Sequence, residues 1–388
     1  MDILFVSNLF PDETEPWRGL DNVTLLHALR CLDASLNIRV LAFRPSISSF
    51  GRAVMRPRAM DLCFSPEFFW TPYLPKVGGF NHRLFGIALS KAIASLPQDF
   101  HPEAILAPWL FPDACAVSLQ AAKMHIPVVA VAQGSDAHQY LDMSMRRKAI
   151  LAMSKRVRAI VTRSRDLQNR LISKGAPQGA VQTIYNGVDV HTFRPTPHAV
   201  AREALDLPAN DHLLLFVGNF LPVKGLDLLL QSAALVIAQS SRTVRLALIG
   251  GGPLESHLKS QVEALGISNK VLFLGRHGSS EVARWMQAAD AVCLTSHNEG
   301  VPNVVLESLS SGRVPLCTDV GGIAEIVEPI LGRRFLIQSR DAGAYAAAIL
   351  DVLENPPDPA GLHAAMQAFS WENCARQYMN LLSKSATL

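Results

Sequence analysis

Short apolar runs alternate along the chain with stretches in which apolar residues recur at helical spacing. Short runs with apolar residues on both faces are typical of strands buried on two sides in a parallel sheet. The predicted strands lie at 2–7, 38–43, 104–107, 127–132, 159–162, 213–217, 244–249, 271–274 and 291–294. Because helical stretches follow them, the pattern predicts an α/β fold: two doubly wound, Rossmann-like domains facing each other across a cleft.

The most informative stretch follows the strand at 291–294. A polar run leads to a turn that begins at Glu299, and a helix is predicted over 303–310, with Glu307 just over one turn into it. The two carboxylates therefore lie at the carboxyl end of a parallel strand, where open α/β sheets bind ligands. The helix N-terminus suits a diphosphate. Carboxylates repel phosphate, and they are natural partners of sugar and ribose hydroxyls.

This stretch resembles the donor-binding signature of family 4 glycosyltransferases, which have the two-domain type B fold (GT-B) and retain anomeric configuration. The resemblance implies that Glu299 binds donor-sugar hydroxyls and that Glu307 binds the ribose diol. It also implies that the turn and the helix N-terminus hold the diphosphate. The residues concerned are Gly300, Val301, Pro302, Asn303 and Val304.

A second loop, 218–225, resembles the family segment in which an Arg and a Lys grip the diphosphate. Gly218 and Lys224 match, whereas Asn219 stands where the Arg is usual. Either Arg18 or Arg276 is a candidate to replace the missing cation. The loop that contains Arg276 and His277 corresponds to the one that surrounds the nucleobase in the family.

In the first half, the resemblance points to three residues. Gly19 matches a glycine-bearing loop near the donor phosphates or the acceptor, although the family often has two adjacent glycines there. Gln133 replaces the usual His near the donor sugar, and it cannot titrate near neutral pH. Asp136 either orients or deprotonates the acceptor, or it caps the helix that follows. The family's catalytic groups are thus expected at Lys224, Glu299 and Asp136.

Two further segments define the expected domains. The segment 183–189 matches the family's interdomain sequence, and residues 369–371 match its Phe-Ser-Trp ending. The resemblance therefore implies an acceptor-side domain at 1–190 and a donor-binding domain at 191–370. A terminal helix within 371–388 is expected to cross back onto the first domain.

Composition narrows the class of protein. The 388 residues are 49% hydrophobic and 18% charged, which suffices for two ordinary globular cores. The six cysteines have no CxxC spacing, so we expect reduced thiols rather than disulfides or a zinc site. The resemblance and the lack of an Asp-x-Asp motif lead us to expect no metal and no cofactor, since the nucleotide sugar is a substrate. Neither a signal peptide nor a membrane-spanning run is evident, which predicts a cytoplasmic protein.

The charge is unevenly distributed. Residues 1–190 contain 21 Lys and Arg against 15 Asp and Glu, whereas the remainder contains 15 against 18. Basic residues occur among aromatic ones in an irregular segment, 46–79 (Arg52, Arg56 and Arg58), and on a predicted amphipathic helix, 145–160. These features fit peripheral contact with an anionic membrane or acceptor, or else a variable loop and a solvated helix face. No nucleic-acid partner is expected.

The sequence thus predicts a retaining glycosyltransferase that moves a sugar from a nucleoside-diphosphate donor to a hydroxyl acceptor. The sequence around Pro302 and Gln133 resembles bacterial surface-polysaccharide enzymes, which favours UDP-sugars and a lipid-linked saccharide. Another saccharide or a small molecule stays open as the acceptor. Two alternatives stay open. One is a catalytically impaired homologue that binds nucleotide sugar, suggested by Gln133 and Asn219. The other is a sugar-nucleotide epimerase of the same architecture.

Overall fold

A computed structural model describes residues 1–46, 64–74 and 78–383. The chain divides into two compact units, one formed by Met1–Asn186 with Trp371–Leu388 and the other by Gly187–Ser370. The sequence-based division has its boundaries at 190 and 370. Arg52, Arg56 and Arg58 lie outside the described residues.

The described part of the first unit contains a seven-stranded parallel sheet with strand order β3-β2-β1-β4-β5-β6-β7. Its strands are β1 (Asp2–Ser7), β2 (Asn37–Ser46), β3 (Glu67–Pro72), β4 (Ala104–Pro108), β5 (Val128–Ala132), β6 (Ala159–Thr162) and β7 (Val181–Thr183). Its helices are α1 (Leu20–Leu32), α2 (Asn81–Ala94), α3 (Cys115–Met124), α4 (Ser135–His138), α5 (Ser144–Ser154), α6 (Arg165–Ser173) and α15 (Trp371–Leu382).

Alternating residues of the strands supply two separate cores. Leu4 and Val6 of β1 pack on one face of the sheet, and Ile3 and Phe5 pack on the other. The second face is covered by α1 and α15, whose Tyr378 is fully buried. Burial on both faces explains why these strands appear in the sequence as nearly continuous apolar runs.

The described part of the second unit contains a six-stranded parallel sheet with strand order β10-β9-β8-β11-β12-β13. Its strands are β8 (His212–Val217), β9 (Val244–Ile249), β10 (Val271–Gly275), β11 (Ala291–Leu294), β12 (Val314–Thr318) and β13 (Leu336–Ile337). Its helices are α7 (His198–Glu203), α8 (Leu226–Gln239), α9 (Glu255–Ala264), α10 (Ser279–Ala288), α11 (Asn303–Ser310), α12 (Ala324–Leu331), α13 (Ala342–Glu354) and α14 (Pro359–Met366).

Both sheets are doubly wound, so each has a point where the strand order reverses. In the first unit this point lies between β1 and β4, and in the second it lies between β8 and β11. Loops that leave neighbouring strands at such a point diverge to opposite faces and leave a crevice at the carboxyl ends of the strands. The candidate sites described below lie at these two points.

Two predicted elements were wrong. The helix predicted at 145–160 ends at Ser154, and Arg158 lies in the connection to β6, where its Nη1 donates to the carbonyls of Leu381 and Leu382. Its basic residues therefore do not share one helix face. The segment 46–79, predicted to be irregular, contains β3. Among the residues that the structure describes, no helix is long and apolar enough to cross a membrane.

Candidate donor site

Two loops meet at the switch point of the second unit. One follows β8 and ends in a 3-10 turn, Pro222–Lys224, and the other follows β11. Lys224 Nζ lies 2.5 Å from Glu299 Oε1, which also accepts a hydrogen bond of 2.6 Å from Ser296 Oγ. Both side chains are largely buried, with 23% of Lys224 and 11% of Glu299 exposed. The fold thus joins the predicted diphosphate cation to the predicted sugar-binding carboxylate.

Glycines allow the backbones of this site to approach one another. Gly225 and Gly321 both have positive φ, 59° and 57°. A Cβ on Gly225 would lie 2.3 Å from the Thr295 carbonyl oxygen, and one on Gly321 would lie 1.8 Å from that of Glu299. A side chain at either position would displace the loop after β11, so these glycines fix the position of Glu299.

Helix α11 begins beside this loop, with Pro302 as its N-cap. Among the described residues no side chain caps this end. The segment 300–304 therefore presents backbone N–H groups and the positive end of the helix dipole at the end of β11, where Pro302 itself has no N–H to give. Such an end suits an anionic group.

Glu307 lies one turn further along α11. Its side chain is mostly buried, and burial raises the pKa of its carboxyl from 4.5 to about 7. Within the described residues, no hydrogen bond or ion pair reaches this carboxyl group. A desolvated carboxyl group without a protein partner has an unmet capacity to bind hydroxyl groups.

Arg276 lies beside Asn219, the position at which the family's usual Arg is missing. Arg276 Nη1 donates to Asn219 Oδ1 at 3.0 Å, and Nη2 donates to the Gly251 carbonyl at 3.3 Å. His277, in the same loop, lies 3.8 Å from Glu281. Of the two candidate replacements, the structure therefore brings Arg276 to Asn219. The backbone of Gly218 lies against Gly250, where an added Cβ would be 1.8 Å from the Gly218 carbonyl oxygen.

Arg18 has partners within the first unit. Its Nη1 lies 2.7 Å from Glu15 Oε2, and its Nε donates to the Asn8 carbonyl. The neighbouring Gly19 has φ 68°, and a Cβ there would be 2.4 Å from the Leu9 carbonyl oxygen. Close packing against Leu9 thus requires glycine at position 19.

Gln133 belongs to the same network as Leu9. Its Nε2 donates to Asn22 Oδ1 at 3.0 Å, and Asn22 Nδ2 donates to the Leu9 carbonyl at 2.9 Å. The loop after β5 is thereby joined to the loop after β1, and the Gln133 amide is engaged in this contact.

Asp136, predicted either to act on the acceptor or to cap a helix, is fully buried. Its carboxylate accepts hydrogen bonds from the backbone N–H groups of Leu110, Gln133 and Gly134, at 2.8, 2.9 and 2.9 Å. Burial raises the pKa of this carboxyl to about 6. Asp136 therefore holds the loops after β4 and β5 together, and its catalytic role stays a prediction.

Sequence reasoning missed a polar pair at the switch point of the first unit. The buried Asp113 accepts hydrogen bonds from the backbone N–H of Asn8 at 2.6 Å and from its side-chain amide at 2.9 Å. Burial raises the pKa of the Asp113 carboxyl to about 7. The position of Asp113 shortly after an apolar strand was a signal in the sequence. Only the strand order, however, shows that Asp113 lies beside Asn8.

A metal site would require several ligand side chains close together. In the parts of the chain described here, no three His, Cys, Asp or Glu side chains are grouped as metal ligands. That the protein needs no metal and no cofactor stays a prediction.

Comparison with known proteins agrees with the geometry of both units. Residues 23–192 match the family model described as Glycosyltransferase Family 4, and residues 199–368 match the one described as Glycosyl transferases group 1. The fold is thus the GT-B fold, and both matched family models are those of glycosyltransferases. The chain thus resembles family 4 glycosyltransferases in both halves, with each model matching less than half of it.

Curated relatives match the chain over about half its length. A D-inositol 3-phosphate glycosyltransferase 2 of Catenulispora acidiphila is 34% identical over an alignment of length 226 that covers 54% of this chain and 52% of the relative. The D-inositol 3-phosphate glycosyltransferase of Thermobispora bispora is 33% identical over 225 residues, with the same shares of the two chains. The chain spans about half the length of these relatives.

Solved structures agree over nearly the whole chain. Anabaena Alr3699/HepE in complex with UDP aligns with a TM-score of 0.75 at 19% identity, covering 99% of this chain and 100% of that one. The lipopolysaccharide outer core galactosyltransferase WaaB aligns with a TM-score of 0.70 at 16% identity, covering 98% and 99%. At these identities the likeness establishes the fold alone.

Proposed function

We propose that this protein is a retaining glycosyltransferase that transfers a sugar from a UDP-sugar to a hydroxyl acceptor, in glycan or polysaccharide biosynthesis. The observation that carries the proposal is at the switch point of the second unit. There two loops and one helix hold the Lys224–Glu299 pair, the N-terminus of α11 and Glu307, whose carboxyl has no partner among the described residues. This set offers a cation, backbone N–H groups and two carboxyl groups, which are the partners that a nucleoside diphosphate and a sugar require.

Glu307 is assigned to the ribose diol. Its carboxyl group lacks a partner among the described residues, and two adjacent hydroxyls can donate to its two oxygens. Binding of the diol favours the ionised form of Glu307, so nucleotide affinity should increase as pH rises through about 7.

Lys224 and the N-terminus of α11 are assigned to the diphosphate. Negative charge grows on the diphosphate as it leaves, and preorganised donors that do not have to move stabilise that charge strongly. Arg276 supplies the second cation from its position beside Asn219. This contact favours an active enzyme over a catalytically impaired homologue.

Glu299 is assigned to the donor sugar. Its Oε1 accepts from both Lys224 and Ser296, whereas no contact with Oε2 is found within the described residues. Oε2 is thus the atom that accepts from a sugar hydroxyl. Through Oε1, the same carboxylate keeps Lys224 in place for the diphosphate.

Retention is proposed to occur by a front-face displacement. The bond from the anomeric carbon to the diphosphate oxygen breaks, and the acceptor oxygen bonds to that carbon on the same face. The acceptor proton passes to the departing phosphate oxygen, so no protein base is needed. The burial of Asp136 behind three backbone N–H groups supports this assignment.

The decisive experiment combines nucleotide binding with product analysis. Thermal shift with UDP, GDP, ADP and TDP identifies the base, since a ligand at 100 times its Kd adds about 2.7 kcal/mol of stability. Incubation with the donor alone then separates three possibilities. A transferase releases free sugar slowly, an epimerase changes the configuration at C2, and an impaired homologue does neither.

The ribose assignment has its own control. Wild type should bind 2′-deoxy-UDP at least tenfold more weakly than UDP, as expected for a hydrogen bond to a charged group. Glu307→Gln should largely abolish that difference, whereas Glu263→Gln, on an exposed face of α9, should preserve it. Equal affinity of wild type for both nucleotides would refute the role of Glu307. Contact with a membrane stays a prediction.

A further inference from the structure

A pocket in the first unit lies at the switch point between β1 and β4. It has a volume of about 270 Å³ and opens at the carboxyl ends of the strands. Its lining includes Asn8, Thr71, Tyr73, Trp109, Asp113 and Tyr140. This size is slightly below that of typical ligand pockets, about 300–1,000 Å³, and suits one ring rather than an extended chain.

A buried hydroxyl group in the pocket wall lacks a partner. Thr71, near the end of β3, is only 4% exposed, and its Oγ1 has no hydrogen bond within the described residues. An unsatisfied buried hydroxyl is costly and uncommon in folded proteins. Because Thr71 lines the pocket, a polar atom of a ligand would satisfy it.

Aromatic rings form another part of the wall. The Trp109 and Tyr140 rings pack edge to face, with their centroids 6.0 Å apart. The guanidinium carbon of Arg146 lies over the Tyr140 ring, 4.2 Å from its centroid. Trp109 also has a φ of 84°, an unusual value for a residue other than glycine. Its backbone is held there by its N–H, which donates to the Val131 carbonyl at 2.8 Å. The electron-rich ring faces suit the weakly positive C–H groups of a sugar.

The charges around the pocket disfavour an anion. Arg18 is the one cation among the described residues that line it, and Glu15 already neutralises Arg18 at 2.7 Å. Asp113 contributes a buried carboxyl group to the same wall. Among the described lining residues, a phosphate group would meet that carboxyl without gaining an unpaired cation. Arg146 lies outside the lining and contacts the Tyr140 and Phe111 rings.

We infer that this pocket binds one uncharged sugar ring of the acceptor, packed against Trp109 and Tyr140 and hydrogen-bonded to Thr71 Oγ1. The inference rests on the proposed function and names the class of its acceptor. It distinguishes this chain from relatives named for D-inositol 3-phosphate, whose acceptor carries a phosphate group.

Thr71→Val gives a sharp test, because it removes the hydroxyl group and nearly keeps the shape. Since that hydroxyl is unsatisfied in the free protein, the variant should fold with unchanged or higher stability. Ligand-observed NMR titrations would use the methyl glycosides of glucose, galactose and mannose, with D-inositol 3-phosphate beside them. We expect at least one glycoside to bind wild type, and its Kd to rise about five- to tenfold in Thr71→Val. The matched control is Thr24→Val, on the exposed side of α1, which should bind as wild type does.

Three results would overturn the inference. They are binding of D-inositol 3-phosphate that weakens in Thr71→Val, glycoside binding that is unaffected by Thr71→Val, and failure of all three glycosides to bind. UDP binding, measured on the same samples, distinguishes failure of the sugar pocket from failure of the proposed function. If UDP binds while the glycosides fail, only the sugar pocket is refuted. If UDP also fails, the proposed function falls with it.

Discussion

Lys224 and Glu299 are 75 residues apart in the sequence, yet the ammonium nitrogen of one lies 2.5 Å from a carboxylate oxygen of the other. The pair joins the loop after β8 to the loop after β11, so the groups assigned to the diphosphate and to the sugar are not independent. Removing either partner leaves a largely buried charge without its counter-ion, which is costly.

The first prediction follows from this coupling. Lys224→Ala should lower kcat for transfer about a hundredfold, because it removes a preorganised cation from the leaving group. Glu299→Ala should lower kcat/KM for transfer at least tenfold, roughly 1.4 kcal/mol, with a smaller effect on UDP affinity. In a double-mutant cycle the two losses should not add, since each substitution already breaks the pair. Lys259→Ala, which breaks an exposed ion pair with Glu255, serves as the control and should leave the rate unchanged. Full activity of Lys224→Ala would show that the diphosphate is held elsewhere.

The second prediction concerns the pH dependence of stability at Glu307. Its pKa is about 7 in the folded protein, above its ordinary 4.5, so the unfolded chain loses this proton first as pH rises. Stability from this group therefore falls between pH 4.5 and 7 and stays low above pH 7. Glu307→Gln removes the titration and should be more stable than wild type at pH 8, by on the order of 1–3 kcal/mol. At pH 4 the difference should vanish. Urea titrations of both proteins at the two pH values test this, and an equal difference at both would contradict it.

The third prediction concerns the glycine that touches the Glu299 backbone. Gly321→Ala should destabilise the protein by about 3 kcal/mol and also lower kcat/KM, because its Cβ would overlap the Glu299 carbonyl oxygen. Gly266→Ala is the matched control. Gly266 has a similar φ, 71°, but no described atom lies within 4 Å of its added Cβ. That variant should lose only about 1 kcal/mol and retain wild-type kinetics. If both variants behaved alike, backbone conformation alone would account for the effect.

The fourth prediction separates structure from catalysis at Asp136. Asp136→Asn weakens charge-assisted hydrogen bonds to three backbone N–H groups and should cost about 2–3 kcal/mol of stability. For the fully folded variant in the cold, kcat should stay within about tenfold of wild type, if the carboxylate acts only by joining the two loops. Loss of a general base typically costs 10²–10⁴-fold. A loss of that size in the folded variant would restore Asp136 as the base.

Local sequence signals identified the donor-binding segment well. Strand β11 and helix α11 have the predicted bounds, because a buried apolar run, a Pro at the N-cap and a clear apolar periodicity all agree there. Apolar periodicity gave a wrong prediction at 145–160, where the helix ends at Ser154. Apolar Val157 and Ile160 continue the spacing of α5, but they belong to a turn and to β6. Periodicity alone cannot show where a helix ends when apolar turn residues fall in phase.

The contacts that define the site depend on strand order, which the sequence did not reveal. Lys224–Glu299, Asn219–Arg276 and Asn8–Asp113 each join loops from different strands. The full burial of Asp136 was equally hidden, since its place after a strand does not determine its exposure.

The position of α15 has a consequence for how this chain is made. Tyr378 and Leu382 on that helix complete the core against α1 and β1, although the whole of 187–370 is synthesised in between. As the chain emerges from the ribosome, the continuous unit at 187–370 has all of its residues first. The first unit cannot complete its core until residues 371–382 have been synthesised, and Val23 and Leu26 stay uncovered until then. A stop codon shortly before Trp371 would therefore leave the second unit complete, whereas the first unit would be exposed to aggregation and proteolysis.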